Sequence, residues 1–169
     1  MKKVVILIFV SFVIVLTSCS TKNEKDLMKQ AQDELKNNNY SAAIEILEQI
    51  TTDFPETQEA GEAYIEMAKL YQGRAIVGVT ETESYLKAVQ YYTKVFEEYP
   101  DLEEAPGALF MCGFLQANEL NDLTAAENSY KLFLEKYPDH ELAPSAQSEL
   151  DNLGLTPEEI LQKATAQQQ

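Results

Sequence analysis

Apolar and small residues recur along the chain in steps of three, four and seven. From Tyr40 they fall at Ala43, Ile44, Leu47, Ile50 and Phe54, then Pro55, Ala60 and Ala63. From Tyr85 they fall at Ala88, Val89, Tyr92, Val95, Phe96 and Tyr99, then Pro100, Ala105 and Ala108. From Leu123 they fall at Ala126, Tyr130, Phe133, Leu134 and Tyr137, then Pro138, Ala143 and Ala146. This spacing is the helical period, and a proline after each aromatic ends the helix. Helix, proline break and next helix are thus written three times, which is the signature of a repeat array.

The pattern predicts an all-α chain. Helices are expected from near Asn23 or Thr21 to about Asn37, and over about 40–53, 57–72, 82–98, 102–119, 124–136 and 141–152. Gly154 is a candidate left-handed C-cap for the last of these. Thr156, Pro157 and Glu159 then read as a capping box opening a final helix over 157–166.

The N-terminus follows another rule. Lys2 and Lys3 precede an apolar run from Val4 to Leu16, shorter than the roughly 20 residues a spanning helix needs. That is the layout of a signal peptide. It ends in Leu16-Thr17-Ser18-Cys19, which resembles the lipobox of bacterial lipoproteins. The resemblance implies a leader over 1–18, with Cys19 as first mature residue and bearer of the acyl chains. Several chains together hold a protein durably in a bilayer. An ordinary secretory leader or an uncleaved anchor helix is the alternative. Ser20 stands where some bacteria use Asp to retain lipoproteins in the inner membrane, so the outer membrane is expected by analogy. Residues 19–25 form a short polar tether. At ~3.3 Å per extended residue, six residues reach roughly 20 Å, which keeps the domain over 26–166 close to the membrane.

Composition narrows the function. The chain has 28 acidic and 13 basic residues, a net charge of −15, and loses two more cations with the leader. Such a surface repels phosphate backbones, so no nucleic-acid partner is expected. Cys19 and Cys112 are the only cysteines. Cys112 lies in the apolar string LFMCGFL and reads as a small buried hydrophobe. His140 is the single histidine and falls in a turn, where a solvated role is expected. Neither metal-ligand spacing, a Gly-rich phosphate loop nor a nucleophile elbow occurs, so no metal, cofactor, small-molecule substrate or catalytic role is expected.

The helix pairs with YP or FP ends resemble tetratricopeptide repeats over about 24–152. Ala31, Ala68 and Cys112-Gly113 take the small position of the first helix of each pair. Ala43, Ala88 and Ala126 take that of the second, before Pro55, Pro100 and Pro138. Glu34 and Gln116 stand where that motif has an aromatic, and the prolines are 45 and 38 residues apart rather than about 34. The longer spacing is similar to that of BamD-like outer-membrane assembly lipoproteins and of the periplasmic Tol–Pal-associated coordinator of cell division. The resemblance implies an antiparallel helix-pair solenoid of three repeats with a C-terminal capping helix. It also implies protein partners, from the envelope assembly or the division and peptidoglycan machinery, and a lipid anchor on the periplasmic side of the outer membrane.

In such arrays the first helices of the pairs line a groove. Carried over, the groove rows are Met28, Ile65 and Phe110; Gln32, Lys69 and Phe114; and Leu35, Gln72 and Ala117. The first row is apolar and suits a hydrophobic peptide side chain or an amphipathic helix. Packing inside the array, or under the last helix with Ile160 and Leu161, is the competing reading. The Asn, Lys and Arg of the family's carboxylate clamp are mostly missing. One connection, 73–82, is longer than the repeat requires and carries Arg74, Ile76, Val77 and Val79. Apolar residues in a loop point to a contact surface, and longer flanking helices packing on themselves are the alternative.

Overall fold

The computed structural model describes residues 23–166, so the leader, Cys19 and most of the tether lie outside the described residues. Eight helices follow one another: α1 (Glu24–Lys36), α2 (Tyr40–Asp53), α3 (Gln58–Gln72), α4 (Glu81–Glu98), α5 (Ala105–Asn118), α6 (Leu123–Lys136), α7 (Ala143–Asn152) and α8 (Pro157–Ala166). No strand occurs among the described residues, and none of their helices is long and apolar enough to cross a membrane. From α1 to α7 each helix packs chiefly on its neighbours in the chain, which is the stacking of a tetratricopeptide-like helical solenoid.

The repeated residues form the core. Ala31, Ala43, Leu47, Ile50, Ala68, Ala88, Val95, Ala126, Tyr130 and Phe133 are fully enclosed. Small residues let the backbones approach. A β-carbon on Gly113 would lie 2.8 Å from the Tyr130 ring, and one on Gly61 would lie 2.4 Å from Leu102. Between α3 and α4 a chain of rings runs Tyr99, Tyr64, Tyr91, Tyr71 at centroid separations of 5.7–5.9 Å, with Lys87 Nζ over the last ring at 4.8 Å.

Antiparallel helices give the array two edges. At one edge lie the start of α1 and the turns that carry the prolines. Tyr99 Oη ties two of these turns together by donating to the Pro55 carbonyl at 2.6 Å. At the other edge lie the connections that enter the even helices, where the left-handed residues fall: Asn38, Arg74 with Gly78, Asn121 and Gly154. Asn and Gly tolerate that conformation; Arg74 is the exception, with φ 53°. Its amide donates to the Tyr71 carbonyl at 3.0 Å, and its Nη1 reaches Glu81 Oε2 at 2.8 Å.

Two boundaries correct the expectations. Helix α5 begins at Ala105 rather than Leu102, and α7 at Ala143 rather than Glu141. Pro106 and Pro144 have no N–H to give and fit only in a first turn, so each fixes its helix start just ahead of it. Asn23 caps α1 by accepting the Asp26 amide at 2.9 Å, and Gly154 has φ 77°. Helix α8 begins on the expected capping box but buries no residue, and Leu161 is 69% exposed. Ile160 lines a cavity beside Ala117 of the third groove row, and neither Ile160 nor Leu161 lines the cavity that holds Ile65 and Phe110.

Candidate functional site

A groove of about 630 Å³ opens where α3, α5 and the turn before α7 come together. Its apolar walls are Ile65 from α3, Tyr92 from α4, Ala108, Phe110 and Met111 from α5, and Leu142. Helical spacing brings Ile65 and Lys69 onto one face of α3, and places Gly107 and Met111 together on α5. Phe110 is held edge-on by Tyr130 at 5.7 Å and Phe133 at 6.0 Å, so its position is set from beneath. Tyr92 is fixed by donating to Gln72 Oε1 at 2.7 Å; burial pushes its phenol up to about 12.

The charged lining is uneven. Glu103, Glu104 and Glu141 stand exposed around the opening. Lys69 lies on the same wall, but its Nζ is bonded to Glu66 Oε1 at 2.8 Å. His140 corrects the expectation of a solvated turn residue. It is half-buried, packs on Phe133 at 5.8 Å and Tyr137 at 6.4 Å, and accepts the Leu142 amide on Nδ1 at 3.1 Å. The ring thereby shapes the turn that carries Glu141 and Leu142.

Of the groove residues expected from the sequence, the cavity brings together Ile65, Lys69 and Phe110. Met28 is buried in the core, Leu35 and Phe114 are half-buried, and Gln32 is exposed on α1; none of these lines the cavity. Gln72 acts behind the wall, as the acceptor for Tyr92. Sequence reasoning missed Tyr92, Met111, Leu142 and the three carboxylates. A signal for the last was present: acidic residues precede Ala-Pro twice, as Glu103-Glu104-Ala105-Pro106 and Glu141-Leu142-Ala143-Pro144.

The inserted connection is a loop over 73–80 rather than an extension of α3 or α4. Ile76 and Val79 are half-buried against the core, whereas Val77 is 96% exposed. Ser84 anchors the loop's far end by donating to the Tyr71 carbonyl at 2.6 Å from a buried position. A second cavity, about 690 Å³, lies between α1 and α2, and Asn23, Gln49 and Asp53 make its walls more polar. No group of three His, Cys, Asp or Glu residues able to hold a metal occurs among the described residues. The Cys112 thiol is pushed up to about 12 by burial, and its sulfur lies 3.6 Å from the Val89 carbonyl oxygen.

The profile of the YfiO family, described as outer membrane lipoprotein, matches residues 20–155. The chain is similar to the outer membrane protein assembly factor BamD of Neisseria gonorrhoeae, 26% identical over 132 residues, covering 70% of this chain and 46% of that protein. It is equally similar to BamD of Neisseria meningitidis serogroup A, at 26% over 132 residues and the same coverage. The chain thus spans a little under half the length of the curated relatives it matches.

Proposed function

The chain belongs to the YfiO family of outer membrane lipoproteins, and from that premise we propose a scaffold that holds protein partners during outer-membrane protein assembly. Membership sets the location: the outer membrane of the bacterial envelope, lipid-anchored, on its periplasmic face. In this reading residues 1–18 are the leader, Cys19 carries the lipid, residues 19–25 are the tether and residues 26–166 are the working domain. The match of the family profile over residues 20–155, beginning directly after Cys19, carries the proposal. The similarity to assembly factors over 132 residues supplies the process.

Two surfaces serve as candidates for partner contact. One is the groove face, with Ile65, Lys69 and Phe110 at the cavity, Gln72 and Phe114 along the same two helices, and Met28, Gln32 and Leu35 as the corresponding positions of α1. The other is the loop carrying Arg74, Ile76, Val77 and Val79. A half-open groove with apolar walls and a few fixed polar groups suits a peptide segment better than a small substrate, so the role is binding rather than catalysis.

The test is cross-linking in intact membranes followed by identification of the partners. Components of β-barrel assembly are the expected result. Recovery of division or peptidoglycan proteins instead would move the scaffold to the rival machinery. Mass spectrometry of the mature N-terminus checks the anchor: an acylated Cys19 is expected, and a chain beginning at any other residue would overturn it.

A further inference from the structure

The opening of the groove carries an imbalance of charge. Glu103 and Glu104 end the turn before α5, and Glu141 lies in the turn before α7. None of the three side chains is ion-paired with a cation among the described residues, whereas Lys69 is already bonded to Glu66. The positive ends of α5 and α7 lie beside these turns and offset the mutual repulsion of the carboxylates, so the fold tolerates them there. Directly below is an apolar floor of Phe110, Met111 and Leu142.

Resting on the partner-binding reading above, we propose that this groove takes a basic amphipathic segment of a partner protein. An apolar side chain of the segment seats on Phe110, Met111 and Leu142. A lysine or arginine one helical turn away meets Glu103, Glu104 and Glu141. An acidic segment is rejected by the same carboxylates, and by a chain with 28 acidic residues against 13 basic ones.

Gly107 gives a test that spares the fold. It lines the groove, and a β-carbon there meets nothing within 4 Å. Gly107→Lys places an ammonium where the partner's cation would sit. The probe is a fluorescein-labelled leucine–lysine peptide of roughly four helical turns with 3–4 spacing. It is titrated by anisotropy against the full chain in detergent micelles, with empty micelles subtracted and melting temperatures checked. Gly107→Lys should weaken binding about tenfold, as should the combined Glu103→Gln, Glu104→Gln, Glu141→Gln chain. The latter should also flatten the salt dependence. A control chain with Glu45→Gln, Glu48→Gln and Glu135→Gln, all exposed and none lining the groove, should bind like the wild type. The glutamate version of the peptide should not bind.

Equal affinity for wild type and the groove variants would overturn the inference. So would an equal loss in the control chain, which would mean unspecific attraction to an acidic surface. The membrane cross-linking separates this from the broader proposal. Assembly partners recovered equally by Gly107→Lys chains would remove the groove and leave the scaffold role standing. Recovery of no assembly partner by the wild type would remove that role, while the peptide series would still decide the groove.

Discussion

Helices α4 and α8 begin in the same way. Thr80 accepts the Glu83 amide at 3.3 Å while Glu83 accepts the Thr80 amide at 3.1 Å; Thr156 and Glu159 repeat the exchange at 3.3 and 2.8 Å. There the likeness ends. Helix α4 buries Ser84, Tyr85, Ala88, Tyr92, Val95 and Phe96. Helix α8 buries nothing and is held to α7 mainly by Lys163 Nζ, which donates to the Asp151 carbonyl at 2.8 Å. Caps decide where a helix starts; an apolar stripe decides whether it joins the stack. Ile160, Leu161 and Ala164 are too few to make such a stripe.

The comparison breaks most sharply by core truncation. Phe96→Ala should lower stability by about 3–5 kcal/mol, whereas Ile160→Ala should stay within about 0.5 kcal/mol of the wild type. Denaturant midpoints measure both, and equal losses would give α8 a hidden partner. The caps give a smaller effect. Thr80→Ala should cost about 1 kcal/mol of global stability. Thr156→Ala should leave the global transition in place and show only as faster amide exchange within α8.

Acid sharpens the contrast most gently. The Thr80 hydroxyl and amide hold the Glu83 carboxyl below its ordinary value, and the Thr156 amide and hydroxyl do the same for Glu159. A carboxyl depressed on folding contributes stability that is present above its unfolded pKa and lost as pH falls through its folded pKa. Both boxes should therefore open below the ordinary carboxylate range. Helix α8, with no buried face, should lose amide protection there while α4 keeps it; loss in α4 first would refute this account.

Much of the array was legible because one grammar governs it. The aromatic-proline breaks at Phe54-Pro55, Tyr99-Pro100 and Tyr137-Pro138 place every turn on the proline edge. The alanines at matching offsets are all buried, most of them completely. The starts of α5 and α7 were misplaced because an acidic turn looks like a helical first turn until Pro106 and Pro144 are given their only permitted position. The groove was half legible. Spacing along single helices found Ile65, Lys69 and Phe110. Tyr92, Met111 and Leu142 join them only when a turn of the next repeat folds across, and periodicity within one helix does not record that contact. His140 was misread for the same reason: its surroundings are set by Phe133 and Tyr137, seven and three residues earlier, and only the path of the turn turns the ring toward them.

The burial of Cys112 has a practical consequence for a protein of an oxidising compartment. Its sulfur is sealed between Val89 and Thr93 of α4, so no disulfide partner or alkylating reagent reaches it while α4 and α5 stay together. The rate at which this thiol becomes labelled is therefore a clock for the parting of those two helices.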